Sequence, residues 1–164
     1  EHLNKLMNYY RKAPFFDQIF PILECLYFEF SGDSAFSLIE VTMMKSFELL
    51  DIQTSVEYAS KYKSEKKKGE LVLDLVLQSG VKHYLSGQGA KDYLNEQLLE
   101  QFVSNGIALS WHEFTHPVYK QSDNFDFLPG LSVLDILFFC GIEAARKIFW
   151  KNIKGQSGVL QREN

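Results

Sequence analysis

No stretch of this chain is both long and apolar enough to cross a bilayer. The most apolar part, residues 131–142, is interrupted by Asp135 and falls short of the ~20 residues a spanning helix needs. Positive charge is not in excess either. Seventeen Lys and Arg stand against 21 Asp and Glu, for a net charge of −4, which excludes a general nucleic-acid binder, because such a protein needs a basic face. The lysine run over residues 61–68 is local and reads as a solvated helix start. Cysteine is scarce. Cys25 and Cys140 could form one disulfide, but buried reduced thiols in a cytoplasmic protein are the expectation. Neither has a paired base nearby in sequence, so neither is a candidate nucleophile. No signal-peptide pattern opens the chain. It starts at Glu1, inside a helical pattern, and therefore reads as a piece of something longer.

What is present is ordinary for a globular domain, with 46% apolar and 23% charged residues, and it is rich in aromatics at 15%. Leu3, Leu6, Met7 and Tyr10 recur at helical spacing over residues 2–12. Ile19, Phe20, Leu23, Leu26 and Tyr27 form the stripe of a second helix, which Pro21 should kink or split. Asp33 and Ser34 can cap a third helix carrying Phe36, Leu38, Ile39, Met43, Met44, Phe47 and Leu50. The Phe and Met stripe through residues 15–50 is read as core rather than as a cofactor box, and no cofactor is expected.

The period then changes. Residues 53–58 are β-prone. Ser64 caps a helix with Leu71, Val72, Leu75 and Val76 on one face and Gly80 as its stop. Residues 82–85 and 107–112 are further strands, with a helix over 96–104 between them. The order β-α-β-α-β implies a parallel sheet covered by helices. The expected architecture is a three-layer, Rossmann-like sheet of about three strands with a helical N-terminal third. It forms a single α/β domain over residues 1–154, with a flexible tail over 155–164. After a loop over 117–130, a helix from Ser132 ends at Cys140-Gly141 and a last one covers 142–153.

In such sheets ligands sit outside the carboxyl ends of the strands. Two segments reach that edge in this reading. One is the turn Ser86-Gly87-Gln88-Gly89-Ala90, whose backbone N–H groups and glycines could hold an anionic or polar ligand. The plainer reading is a tight turn in which glycine relieves sterics. The other follows Trp111. There His112-Glu113-Phe114-Thr115-His116 matches the zinc-protease signature H-E-x-x-H, but that mechanism needs a helix. The flanking Gly106 and Pro117 and the strand-like alternation argue against one. Asp135, in an otherwise apolar helix, is either a perturbed catalytic carboxylate or a member of a weak capping box with Ser132. His83 reads as a strand histidine without a special role.

Four ordered blocks carry a resemblance. They are Asn8-Tyr9-Tyr10-Arg11-Lys12-Ala13-Pro14-Phe15-Phe16, then Tyr84 to Leu94, then Trp111 to Tyr119, then Leu131 to Phe138. Together they resemble the WbqC-like protein family over nearly the whole chain. The family's pattern includes His116-Pro117-Val118-Tyr119 but not His112. The resemblance implies a bacterial cytoplasmic protein of surface-polysaccharide (O-antigen) biosynthesis, with transfer of an acyl or aminoacyl group to an amino sugar nucleotide as its activity. The alternative is a non-catalytic nucleotide- or carrier-binding module. The matching positions are Tyr10, Lys12, Ser86, Gly87, Gly89, Tyr93, His116, Tyr119 and Asp135. In this reading His116, Asp135 and Tyr119 are catalytic, and Ser86, Gly87, Gln88, Gly89, Ala90, Tyr93, Tyr10 and Lys12 bind ligand. The partner is then a small molecule, a sugar nucleotide or an acyl or aminoacyl donor, with no nucleic acid, membrane or metal involved. The family normally begins with a His-Gln-Pro-x-Tyr-x-Pro-Trp block that this chain lacks. An open sheet edge and a homodimer are compatible with that departure.

Overall fold

The computed structural model of the chain describes residues 1–32, 34–122 and 126–156. Asp33 and residues 157–164 of the expected tail lie outside them. The fold is mixed α/β. Eight elements follow one another: α1 (His2–Tyr10), α2 (Phe16–Glu29), α3 (Ala35–Leu50), α4 (Lys68–Ser79), β1 (His83–Gly87), α5 (Glu96–Ser104), β2 (Ala108–His112) and α6 (Val133–Gln156). Short 3-10 turns occupy Ala59–Lys61 and Gln88–Asp92. The described residues gather into two compact units, 1–53 together with 115–156, and Thr54–Phe114.

The first unit is helical. α2 buries Ile19, Phe20, Leu23 and Leu26, the stripe expected from the spacing. Pro21 does not split it. The helix runs through Pro21, whose ring is on the exposed side. Buried residues on both sides hold the helix against the loss of one N–H, so packing outweighs the local penalty. Ser34 caps α3 by accepting from the Ser37 N–H at 3.1 Å. The core stripe expected along α3 is only partly formed. Leu49 and Leu50 are buried, but Phe36 and Ile39 are 62% and 64% exposed. The buried-thiol expectation also fails for Cys25, which is free and exposed, while Cys140 is free and half-buried.

The C-terminal end of α3 is closed by α6. Asp51 takes a left-handed conformation (φ 57°). Arg146 donates through Nε to the Leu49 carbonyl at 2.8 Å and through Nη2 to Glu48 at 3.2 Å. Trp150 Nε1 donates to Leu50 at 2.9 Å. These donors satisfy carbonyls that a helix end leaves without intrahelical partners. Trp150→Phe should therefore cost about 1–2 kcal/mol in urea unfolding, because it strands one acceptor while keeping most of the ring packing. A loss below about 0.3 kcal/mol would show that this cap carries no weight.

α6 is broken where the sequence suggested. Gly141 has φ 74° and ψ 167°, outside helical space, so the helix is two segments meeting at a kink. A Cβ at this position would lie 2.6 Å from the Phe15 ring and 3.1 Å from Gln18 Oε1. Both conformation and packing thus demand glycine here. Gln18 Oε1 accepts from the Ile142 N–H at 3.4 Å, and the Phe15 N–H donates to the Phe138 carbonyl at 3.0 Å, which docks the start of α2 on the break.

The second unit holds a parallel two-stranded sheet in which His83 pairs with Ala108, Leu85 with Ser110 and Gly87 with His112. Leu73, Val76, Ala90, Leu94, Leu98, Phe102 and Ile107 form its core, with Tyr84, Leu109 and Trp111 packed against them. Gly80 closes α4 in the left-handed conformation (φ 71°), as the stop signal implied. Asn95 caps α5 by accepting from the Leu98 N–H. Two expectations fail. α4 begins at Lys68 rather than at Ser64, so the basic run is a connection instead of a first turn. The strand expected over residues 53–58 does not form, and the sheet has two strands among the described residues. β-propensity specifies extended backbone but supplies no ladder partner, and without one no strand exists.

Candidate functional site

In the first unit, Asp135 anchors a polar cluster. Its backbone N–H donates to the Ser132 carbonyl at 2.9 Å, which starts α6. Its side chain is 3% exposed. Tyr10, at the end of α1, donates to Oδ1 at 3.1 Å. Tyr119 donates to Oδ2 at 2.8 Å, and Gln121 Nε2 donates to the same oxygen at 3.0 Å. A carboxylate withdrawn from water needs such donors, since burial without them would be costly. Gln121 also clamps its own loop: Nε2 donates to the Leu128 carbonyl at 2.9 Å, and Oε1 accepts from the Leu128 N–H at 2.7 Å.

The cluster sits in aromatic packing. Tyr10 stacks on Phe138 with centroids 4.4 Å apart, and Phe127 meets Tyr119 edge-on at 5.3 Å. The same Phe127 ring lies 6.1 Å from His116, whose Nδ1 is buried. Burial, reinforced by the charge and hydrogen bond of Asp135, pushes the Tyr10 hydroxyl up from its ordinary value to about 12. Tyr119 is raised further, by burial first; the bond from Gln121 opposes the shift and Asp135 adds to it. Cys140 is raised by burial and by the nearby Asp135 charge. Both tyrosines are therefore neutral donors near pH 7, suited to hold an anion rather than to act as bases. Lys12 is exposed in the turn after α1.

In the second unit, the glycine turn lies at the carboxyl end of β1. Gly87 is the last residue of that strand, and Gln88 Nε2 donates to the His112 carbonyl at the end of β2, at 3.3 Å. Ser86 is inside the strand and 2% exposed, with its hydroxyl 3.5 Å from the Gly87 carbonyl. Neither Gly87 nor Gly89 has a left-handed φ, and a Cβ at either would meet nothing within 4 Å. The steric-relief reading therefore does not account for them. Ala90 is buried, Tyr93 is 41% exposed, and Lys91 lies 5.2 Å from the Trp111 ring centroid.

With this geometry in hand, comparison with known proteins is informative. Residues 1–147 match the WbqC-like protein family. The chain belongs to that family. An uncharacterized protein of Mycobacterium tuberculosis (strain ATCC 25618 / H37Rv), Rv1507c, is 28% identical over 145 residues, which cover 87% of this chain and 61% of the relative. This WbqC-like chain thus spans about three-fifths of the length of the curated relative it matches. No solved structure matches it.

The WbqC-like chain brings together Tyr10, Tyr119 and Asp135, and the Phe127 ring lies against both Tyr119 and His116. Ser86 to Ala90 and Tyr93 are gathered in the other unit. Gln121 was missed, because an isolated glutamine in a loop has no periodicity or motif to mark it. The zinc-protease signature fails on local structure. His112 ends a strand, residues 113–122 are not helical, and no cluster of metal-ligating residues occurs among the described residues. No described helix is long and apolar enough to cross a membrane. A cavity of about 740 Å³ between α2 and α3, lined by Ile22, Cys25, Leu26, Glu29, Val41 and Lys45 among others, contains none of the expected site residues.

Proposed function

We propose that this WbqC-like chain is the acceptor-handling part of a cytoplasmic transferase that moves an acyl or aminoacyl group onto an amino sugar nucleotide during surface-polysaccharide (O-antigen) biosynthesis. The support is family membership together with a glycine-rich turn at a parallel strand's carboxyl end. In this reading the β-α-β unit is the part of a three-layer, Rossmann-like sheet that this chain contributes. Residues 86–90 and Tyr93 hold the phosphate and sugar. His116, in the first unit, is assigned as the acid/base. Asp135, Tyr119 and Tyr10 position the loop that carries His116, and Lys12 pairs with ligand charge.

The observation that carries this proposal is the pair Gly87 and Gly89, whose missing Cβ atoms neither backbone conformation nor internal packing requires. Open backbone at a parallel strand's carboxyl end, where the chain enters the short 3-10 turn Gln88–Asp92, suits a phosphate. A second reading, a nucleotide- or carrier-binding module without turnover, is favoured by Asp135, whose oxygens are already engaged by Tyr10, Tyr119 and Gln121.

Thermal shift with a uridine diphosphate amino sugar tests both. Gly89→Val should abolish the shift while changing stability by no more than about 0.5 kcal/mol, since nothing lies in its way. His116→Ala should retain the shift and lose transfer from an acyl thioester. Retained binding in Gly89→Val would sink the site assignment, unchanged transfer in His116→Ala would remove His116 as the base, and binding by the parent without any transfer would leave the binding-module reading.

A further inference from the structure

A phosphate at the glycine turn needs a counter-charge, and the nearest cation in the sequence is Lys91. It lies in the 3-10 turn Gln88–Asp92 that the chain enters from Gly87. Its ammonium stands 5.2 Å from the centroid of the Trp111 ring. Trp111 packs against the core of the second unit and is the register partner of Ser86, the residue before Gly87. The contact therefore places a positive charge at the carboxyl end of the sheet, in the same unit as the open backbone of Gly87 and Gly89. Lys12 belongs to the other unit.

The turn that carries Lys91 is tied down at both ends. At its entry Gln88 Nε2 donates to the His112 carbonyl at 3.3 Å. At its exit the N–H groups of Tyr93 and Leu94 donate to the Ala90 carbonyl at 3.1 and 2.9 Å, and Ala90 and Leu94 are buried. The first turn of α4 backs this exit. A Cβ at Gly69 would lie 2.5 Å from the Tyr93 carbonyl oxygen and 2.6 Å from Leu98 Cδ1, so this close approach demands glycine. A frame held in this way is ordered before a ligand arrives, which lowers the entropic cost of binding. The indole attracts the ammonium from one side. Its remaining N–H donors are left for phosphate oxygens, a charge-assisted contact roughly twice as strong as a neutral one.

We propose that Lys91, held over Trp111, is the phosphate-pairing residue of the glycine turn, and that the turn thereby selects a nucleoside diphosphate over the uncharged nucleoside. This rests on the reading of residues 86–90 as a phosphate site. Titration calorimetry of the full chain with uridine diphosphate and with uridine tests it. The diphosphate should bind at least about tenfold more tightly than uridine, and its affinity should fall with added salt. Lys91→Gln should weaken diphosphate binding at least about tenfold and flatten the salt dependence. Lys91→Arg keeps a cation that stacks on an aromatic ring and should retain binding. Lys82→Gln removes the same charge just before the amino end of β1 and should bind as the parent does. Circular dichroism melts of each variant check folding.

Fluorescence adds a readout that a merely structural lysine would not move. In a Trp150→Phe background Trp111 is the one indole left, and its emission should change as the diphosphate saturates the site. The Lys91→Gln variant should lose that change. Parent-like affinity in Lys91→Gln, with none in Gly89→Val, overturns the role of Lys91 and leaves the turn as the site. Equal weakening by Lys82→Gln also overturns it, since general charge would then suffice. Diphosphate binding retained in Gly89→Val, or absent from the parent, overturns the turn as a phosphate site and Lys91 with it.

Discussion

Asp135→Ala is expected to destabilise the protein by about 3–5 kcal/mol, the largest loss from any single polar truncation here. The carboxylate is the common acceptor for Tyr10, Tyr119 and Gln121. Removing it leaves buried donors without an acceptor and opens a small cavity beneath Phe138. For a chain of this size the melting temperature should fall by roughly 2–4 °C per kcal/mol. Asp135→Asn, which keeps one acceptor oxygen, should lose less. The same cluster predicts an alkaline limb. The folded-state pKa of Tyr10 is raised to about 12 from an ordinary value of 10. Its stabilising contribution is therefore fully present below pH 10 and lost as pH rises toward 12. Thermal melts across that range should show a steeper decline for the parent than for Tyr10→Phe. If Asp135→Ala costs less than about 1 kcal/mol, the cluster is not the anchor described here.

Gly141→Ala should be nearly as damaging, at about 3 kcal/mol or more. Two penalties add. The φ/ψ combination of 74° and 167° is one that residues with a Cβ scarcely occupy, and the new methyl would lie 2.6 Å from the Phe15 ring. The ring would have to leave its place against the break, and the start of α2, held by the bond from the Phe15 N–H to the Phe138 carbonyl, would shift with it. Gly89→Ala is the contrasting case. No left-handed φ and no neighbour within 4 Å apply there, so its stability should stay within about 0.5 kcal/mol of the parent. Chemical unfolding of the two variants side by side checks the contrast. Equal losses would mean that neither the conformation nor the packing at the break requires glycine.

Much of the local structure was legible because its causes are local. Ser34 caps α3 through its own hydroxyl, Gly80 ends α4 because glycine tolerates a left-handed φ, and the stripe from Ile19 to Leu26 marks the buried face of α2. The parallel order of β1 and β2 followed from a whole helix lying between two short strands. Those signals act over a few residues, and the chain carries them wherever it folds.

Other features depend on partners distant in sequence. Residues 53–58 have the composition of a strand but no neighbour to pair with. Pro21 would break an isolated helix, yet the core contacts of α2 on both sides retain it. Phe36 and Ile39 are apolar and still exposed, because hydrophobicity marks a residue as able to be buried and does not supply the surface that buries it.

The candidate site divides along the same line. The sequence by itself determined the family, the ordered blocks and the glycine turn at a strand's end, since these are matters of residue type and spacing. Only the tertiary structure decided what Asp135 does. It is neither a helix cap alone nor a lone buried acid, but an acceptor shared by Tyr10, Tyr119 and Gln121. Those residues lie 125, 16 and 14 positions away along the chain, and a hydrogen bond needs a distance in space that no local pattern encodes.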